Sequence, residues 1–346
     1  MGQQIGEAAR DEVRGFVSVA FERMRQTIRI SRERLQPIIS ASTAFVQEYS
    51  PDLLQELQGM SAGSGVAFDD LMFLQIRNQL TADMDRGCTS FSVGQSVNTR
   101  QGNTRQGSTR QGSVVGQNWD NDPELDAFTV VLRRRPTDRP AFMSVTQAGL
   151  IAYIGFNEAG IAACLNSLPA PSRAVGVPHY FTLRRIFEGH TLDDAVHAVT
   201  SAQRAIPANI MLATPQGPAD LEVTIDRVHV LQDNQHDFLT HTNHCLHPQL
   251  IHINDQFDEL IQSKPRLKRI DELLSGTGLS PDLAPFKAAL RDHQDFPRSI
   301  CRHANDHPQH GFWETVFSVI MVPESGEMHL ARGTPCQNEY EIYRLN

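Results

Sequence analysis

A change of element type near residue 87 is the feature that most constrains the fold of this chain. Up to about residue 80, apolar residues recur at helical spacing, as in ARDEVRGFVSVAFERMRQTI and STAFVQEY. From Arg86 onward, short runs of β-forming residues alternate with turns, among them CTSFSV, FTVVLRR and AFMSVT. Two later helical blocks interrupt the strands. This order of helices and strands indicates an α+β protein in which two sheets lie between helix layers.

The composition excludes several classes of function. The chain has 31 Lys+Arg against 40 Asp+Glu, a net charge of -9, so we expect neither a nucleic-acid nor an anionic-membrane partner. No run approaches the roughly 20 apolar residues of a membrane span, and MGQQIGEAARDEVRG lacks the apolar core of a signal peptide. Five scattered cysteines without a CxxC pair fit a reducing compartment, and we expect a cytoplasmic location.

A short repeat stands apart from this acidic background. The units NTRQG, NTRQG and STRQG carry Arg100, Arg105 and Arg110 within an insertion at residues 98–113. They contain no apolar residue and repeat a turn-forming glycine, which is typical of a hairpin extension between two strands. The alternative is a basic flap that attracts an anionic substrate.

Two other patterns favour ordinary structural roles. Residues 59–63, GMSAG, match the GxSxG pattern of serine hydrolases, which requires a strand-to-helix turn. Here the pattern follows a helix, and we expect Gly59 to end that helix. The three arginines at 133–135 close an apolar strand and are interpreted as a solvated strand end.

Histidines His241, His244 and His247 are spaced by three residues. Imidazole is the commonest metal ligand, so a metal-dependent hydrolase is one alternative function. The spacing matches no zinc signature, however, and no HExxH motif accompanies it. The sequence therefore predicts no metal and no cofactor, with these histidines solvated or capping the core.

Cys88 is the candidate nucleophile, at the point where helices give way to strands. A lone cysteine more often packs in a core. Gly87, however, has no side chain, so a thiol can approach its carbonyl closely. Downstream, GQNWD at 116–120 is a polar cluster between apolar strand residues and needs partners or a ligand. The other four cysteines are interpreted as small core residues: Cys164, Cys245, Cys301 and Cys336.

GCTSF followed by GQNWD resembles the acyl-coenzyme A:6-aminopenicillanic acid acyltransferase family, the cysteine-type N-terminal nucleophile hydrolases. The resemblance continues, in order, from about residue 50 to the end of the chain. Its further segments are FNEAGIAACLNSL, VPHYFTLRRIFEGHTLDDAVHAV, HTNH, SICRH and TVFSVIMVPESGEMHLARGTPC. The NTRQG repeat is a departure from the family pattern and concerns the rim of the site. The resemblance implies a four-layer αββα sandwich.

The resemblance also implies that the chain is an inactive precursor. The Cys88 thiol would attack the Gly87 carbonyl, and an N-to-S acyl shift and hydrolysis would follow. The products would be an α chain, residues 1–87, and a β chain, residues 88–346, that stay associated. The new α-amino group has a reference pKa of about 7.7–8.0, close to the thiol's 8.5 or so, and can act as general base.

Further roles are carried over from the family residue by residue. Asn243, in HTNH, would donate to the oxyanion, and Asp120, in GQNWD, would hold the new α-amino group. Arg302, in SICRH, would act electrostatically beside the site, and Ser90 would aid processing. Asn166 is either a further donor at the site or a strand-end asparagine that satisfies the backbone.

The implied substrate is a small-molecule N-acyl amide, cleaved or transferred through a Cys88 thioester. Hydrolysis and transfer stay open at this point, as does an acyl-CoA as the acyl donor, and neither the acyl group nor the amine is identified. The alternative of a different class is an uncleaved binding protein that retains the fold without catalysis.

Overall fold

The computed structural model describes residues 1–27, 30–80, 87–96, 110–232, 237–259, 262–275, 282–308 and 311–346. The helices are α1 (Gly2–Ala8), α2 (Arg10–Thr27), α3 (Arg32–Tyr49), α4 (Pro51–Ser64), α5 (Phe68–Leu80), α6 (His179–Ile186), α7 (Leu192–Thr200), α8 (Ser263–Ser275) and α9 (Ala284–Leu290). The strands are β1 (Cys88–Ser96), β2 (Arg110–Asn121), β3 (Thr129–Arg134), β4 (Phe142–Gln147), β5 (Ile154–Asn157), β6 (Ala162–Ser167), β7 (Ala208–Thr214), β8 (Gly217–Val223), β9 (Val228–Leu231), β10 (Phe238–His241), β11 (Glu314–Val322), β12 (Glu327–Arg332) and β13 (Glu341–Arg344).

Within the described residues, these strands form two antiparallel sheets. One sheet has the order β10-β1-β2-β11-β12-β13, and the other runs from β3 to β9 in chain order. The second sheet is a meander because each strand pairs with its neighbour in sequence. In the first sheet, β1 lies in the interior between β10 and β2.

The two sheets lie face to face between helix layers. Apolar residues of α8 and α9 cover the outer face of the first sheet, where Phe286 stacks on Phe91 at 5.2 Å between ring centroids. Beside α6, Phe187 stacks on Phe142 of the second sheet at 5.7 Å. The inner faces meet where β1 and β2 contact β6 and β7. These layers confirm the predicted αββα sandwich.

The amino-terminal helices belong to the same core as the sheets. Apolar residues of α2 to α5 join one buried cluster with those of both sheets. Gln75 of α5 donates to the carbonyl of Gly149 at 2.8 Å, and Asn78 donates to the hydroxyl of Tyr180 at 3.0 Å. The described residues before and after residue 87 therefore share one hydrophobic core.

The prediction that Gly59 ends a helix is wrong. Helix α4 continues to Ser64 and ends at Gly65, whose φ of 70° is the left-handed conformation that favours glycine. Ser61 donates its hydroxyl hydrogen to the carbonyl of Val66 at 2.6 Å. GMSAG is thus a helical segment, and it lacks the strand-to-helix turn of a serine hydrolase.

Two further interpretations are corrected by burial. Arg134 is buried and pairs with Glu56 of α4, so the strand end at 133–135 is not fully solvated. Cys336 is exposed, whereas Cys164, Cys245 and Cys301 are buried as expected. Residues 97–109, which hold most of the predicted insertion, lie outside the described residues. None of the described helices has the length and apolar composition that a membrane crossing requires.

Candidate active site

Cys88 is the first residue of β1 and is 1% exposed. It lies directly opposite Trp119 of β2, and side chains opposite each other in antiparallel strands share one face. Trp119 stacks on Phe317 at 5.0 Å in the core. The Cys88 thiol therefore faces the interior between the sheets.

The peptide bond between Gly87 and Cys88 is held at both ends. The Gly87 carbonyl accepts a hydrogen bond from the backbone N–H of Asp120 at 2.9 Å. The Cys88 N–H donates to Oδ1 of Asn243 at 2.9 Å, while Nδ2 of Asn243 donates to the Ser167 carbonyl at 2.9 Å. Four of the predicted site residues, Gly87, Cys88, Asp120 and Asn243, thus meet at one peptide bond. In this continuous chain it is the oxygen of Asn243 that contacts Cys88, and donation to an oxyanion stays a prediction.

Arg266 of α8 is a site residue that the sequence analysis missed. Its Nη1 donates to the Cys88 carbonyl at 2.6 Å and to the Thr89 hydroxyl at 2.9 Å. Its Nη2 donates to Oδ1 of Asn243 at 2.8 Å. The side chain is fully buried, in phase with Ile270 on the buried face of the helix. A charged residue at an apolar helix position was the signal available in the sequence.

Asp120 and Arg302 are joined through Thr315. Thr315 donates its hydroxyl hydrogen to Oδ1 of Asp120 at 2.7 Å and accepts from the Arg302 backbone N–H at 3.0 Å. Oδ2 of Asp120 makes no hydrogen bond with the described residues. Burial raises the pKa of Asp120 to about 6, although Arg266, Thr315 and Arg302 oppose the rise. A buried carboxyl therefore lies beside the Gly87–Cys88 bond with cations next to it.

Ser90 and Asn166 contact each other on the inner face of the sheets. Asn166 donates to the Ser90 hydroxyl at 2.7 Å and to Oδ1 of Asn209 at 2.9 Å, and it accepts from Gln117 at 2.6 Å. All four side chains are buried. Asn166 bonds to side chains in these contacts and is therefore not a backbone cap at a strand end. Ser90 lies on the same face as Cys88, two residues along the strand.

The three spaced histidines contact different partners. His241 is buried, with its Nε2 at 2.9 Å from Oε1 of Glu222. Burial alone would lower the pKa of His241, but the negative charges of Asp220 and Glu222 outweigh it and raise the pKa. His244 contacts the Ser263 hydroxyl at 2.7 Å, and His247 lies against the ring of His229. Within the described part of the chain, these three histidines do not converge into a group of possible metal ligands.

The fold defines a class of protein. It is an αββα sandwich in which Cys88 begins an interior strand of one sheet, and the motifs led us to expect this fold. The chain belongs to the acyl-coenzyme A:6-aminopenicillanic acid acyl-transferase family, since the sequence model of that family matches residues 106–337. The match includes Asp120, Asn243, Arg266 and Arg302 and begins after Cys88.

One curated relative covers most of the chain. The 40 kDa form of the acyl-coenzyme A:6-aminopenicillanic-acid-acyltransferase of Emericella nidulans is 25% identical over 325 residues. That alignment spans 92% of this chain and 86% of the relative. The family predicted from the motifs is thereby confirmed.

Two solved structures are similar to parts of the fold. Penicillin V acylase from Agrobacterium tumefaciens matches with a TM-score of 0.47 and 11% identity, covering 70% of this chain and 82% of its own. A mutant of the conjugated bile acid hydrolase from Clostridium perfringens matches with a TM-score of 0.45 and 13% identity, covering 74% of this chain and 97% of its own.

Proposed function

We propose that this chain is the precursor of a self-processing cysteine amidohydrolase or acyltransferase, cut between Gly87 and Cys88. The observation that carries the proposal is the fixed peptide bond between these residues. Its carbonyl oxygen accepts from the Asp120 N–H at 2.9 Å, and its N–H donates to Asn243 at 2.9 Å. A peptide bond held at both ends keeps one orientation toward the neighbouring thiol.

The processing step follows from these contacts. The Cys88 sulfur adds to the Gly87 carbonyl carbon, and negative charge develops on the oxygen that faces the Asp120 N–H. A donor aimed at such an oxygen stabilises the transition state by about 3–4 kcal/mol. The C–N bond then breaks, the nitrogen takes up the thiol proton and becomes the α-amino group of Cys88, and water hydrolyses the thioester. The products are residues 1–87 and 88–346.

In turnover, the new α-amino group accepts the proton of the Cys88 thiol as it attacks the acyl carbon of the substrate. Oδ2 of Asp120, which makes no hydrogen bond with the described residues, is the acceptor that we assign to this amino group. Arg302 and Arg266 lower the pKa of Asp120 against the effect of burial and so favour its ionised form. Asn243 stabilises the oxyanion once its amide nitrogen is turned toward the acyl carbonyl.

The molecule that accepts the acyl group from the Cys88 thioester decides which reaction occurs. Water gives hydrolysis of an N-acyl amide, and an amine gives acyl transfer. The name of the Emericella relative specifies an acyl-coenzyme A and 6-aminopenicillanic acid, which makes acyl transfer from a coenzyme A thioester the second candidate. Turnover of N-acyl amides and acyl-CoA, each with and without a competing amine, separates the two. We keep a cytoplasmic location as a prediction, because a reducing compartment preserves the thiol.

Intact-mass measurement of the purified protein tests processing directly. We expect two fragments with the masses of 1–87 and 88–346, and one full-length species for Cys88→Ala. Cys245→Ala is the matched control, since Cys245 is also buried but belongs to a separate core cluster, and it should leave cleavage unchanged. A parent chain that stays intact, inactive and unreactive toward iodoacetamide would instead support an uncleaved binding protein.

A further inference from the structure

Four metal-ligating side chains converge in a group separate from the nucleophile. They are His293, Cys301, His303 and Cys336, and one donor atom of each lies within 4.8 Å of all the others. The first three come from the segment between α9 and β11, and Cys336 follows β12. Their sequence spacing matches no zinc signature, so only the fold brings them together.

The contacts centre on Nε2 of His303. This nitrogen lies 2.9 Å from Nε2 of His293, 3.3 Å from Sγ of Cys336 and 3.7 Å from Sγ of Cys301. A neutral imidazole nitrogen carries either one proton or one lone pair, so it satisfies one of these neighbours by a hydrogen bond. A cation between the four donors would satisfy all of them at once.

We propose that His293, Cys301, His303 and Cys336 form a structural zinc site. In tetrahedral zinc sites, Zn–S bonds of about 2.3 Å and Zn–N bonds of about 2.0 Å place donors roughly 3.3–3.8 Å apart. The distances from Nε2 of His303 to the two sulfurs, 3.3 and 3.7 Å, are of that size, and its 2.9 Å distance to Nε2 of His293 is shorter, so the two rings would move slightly apart on binding the ion. Thiolate and imidazole ligands favour zinc among common divalent ions, and four protein ligands leave no open position for catalysis.

The surrounding backbone holds the ligands close together. The Cys301 N–H donates to the Asp292 carbonyl at 3.0 Å and closes the loop that carries His293. Arg291 donates to the Pro335 carbonyl at 2.8 Å and fixes the turn before Cys336.

The site has a consequence for Arg302, the residue between Cys301 and His303. Its backbone N–H bonds the Thr315 hydroxyl, which in turn bonds Asp120. Zinc would fix both neighbours of Arg302 and thereby position this contact. The zinc proposal rests only on these four donor side chains, however, and its test does not depend on processing at Cys88.

Metal analysis of the full-length chain tests the site. Protein purified under reducing conditions is dialysed against a chelator, reloaded with zinc and freed of excess metal. We expect about one zinc per chain by mass spectrometry of the metal. Cobalt in its place should give a thiolate-to-cobalt charge-transfer absorption band. Cys336→Ser and His303→Gln should each lose both signals.

Two matched variants serve as controls. Cys164→Ser removes a buried cysteine outside the group, and His190→Gln removes an exposed histidine outside it. Both should retain zinc and the cobalt band. Since Cys336 is exposed, its replacement should not unfold the chain. The proposal is overturned if reloaded protein takes up no stoichiometric zinc, if Cys336→Ser binds it unchanged, or if peptide mapping finds Cys301 and Cys336 in a disulfide.

Discussion

At the scale of single residues, Arg266 connects the parts of the site. Its guanidinium contacts the backbone of Cys88 and the side chains of Thr89 and Asn243. Burial lowers its pKa to about 10, while Asp120 opposes this fall. A buried charge is tolerated only when hydrogen bonds and an opposite charge replace water, and Arg266 has both.

We predict that Arg266→Met slows cleavage and lowers the free energy of unfolding by about 3–5 kcal/mol, because Asp120 and the Cys88 carbonyl lose their buried cation. Denaturation of uncleaved protein in the Cys88→Ala background measures stability, and intact mass over time measures cleavage. Lys268→Met is the control on the same helix, since the Lys268 side chain is 80% exposed. Cleavage of Arg266→Met at the parent rate would contradict the role given to this arginine.

Asp120 gives a prediction on pH. Its pKa is raised to about 6 from an ordinary value of 3.8. Between these values the folded chain holds a proton that the unfolded chain has lost, so this group lowers stability as pH rises through the window. In the Cys88→Ala background, Asp120→Asn should therefore gain about 2 kcal/mol of stability relative to its parent between pH 4 and pH 6. Denaturant titrations at several pH values measure it, and a constant difference would contradict it.

The sequence identified some of these residues and not others for a physical reason. Cys88, Asp120 and Asn243 stand in short motifs whose residue types resemble a family, and the fold brings all three to one peptide bond. Arg266 belongs to no such motif. Its contact with Cys88 spans 178 residues of chain, and local patterns do not report contacts of that range.

At the scale of elements, glycines determine how α1 crosses α4. A Cβ on Gly63 would lie 2.2 Å from the carbonyl oxygen of Gln3, and one on Gly6 would lie 2.3 Å from that of Met60. The two backbones are therefore in direct contact. The glycines of GMSAG allow this close packing of two helices. A sequence pattern alone cannot distinguish glycines that serve helix packing from the glycines of a catalytic turn.

We predict that Gly63→Ala lowers the free energy of unfolding by about 2 kcal/mol, because overpacking against a backbone carbonyl exceeds the gain in helix propensity. Chemical denaturation of the uncleaved Cys88→Ala chain measures the loss. Gln58→Ala is the control, since Gln58 is exposed on the same helix and should change stability little. Equal stability of Gly63→Ala and Gln58→Ala would show that α1 and α4 can move apart without a loss of folding free energy.

Strand faces were also only partly predictable. In β1, Thr89 and Phe91 face the helices while Cys88 and Ser90 face the second sheet. Polar side chains therefore occupy the layer between the sheets, where alternation rules expect apolar ones. Each of the inward residues Ser90, Gln117 and Asn166 has a hydrogen-bond partner across the sheets, which permits this placement.

At the scale of the whole molecule, residues 1–87 and 88–346 share one core. Besides the bonds of α5, the Tyr49 hydroxyl donates to the Ala198 carbonyl at 2.6 Å, and Glu56 pairs with both Arg134 and Arg184. The order of element types predicted the layers correctly. It could not show that the helical block and the sheets pack together, because periodicity carries no information on topology.

We predict that the two fragments elute as one species in size-exclusion chromatography after cleavage and separate only in denaturant. The reason is the buried apolar area and the buried ion pairs between them. Glu56→Gln should weaken this association, because Arg134 would then be buried without its carboxylate, while Arg184 would keep only its pair with Glu188. Glu48→Gln, at an exposed position on α3, is the control. Separation of the parent fragments in native buffer would contradict the shared core.

The interior position of β1 has a final consequence. A chain end made by cleavage before Cys88 would begin inside a hydrogen-bonded sheet, with Cys88 opposite Trp119 of β2 and with β10 paired from Ser90 onward. Most chain termini sample many conformations. The new chain end at Cys88 would instead already be paired with its neighbouring strand when it forms. Its α-amino group would therefore need no conformational search and would lose little entropy on reaching its working position.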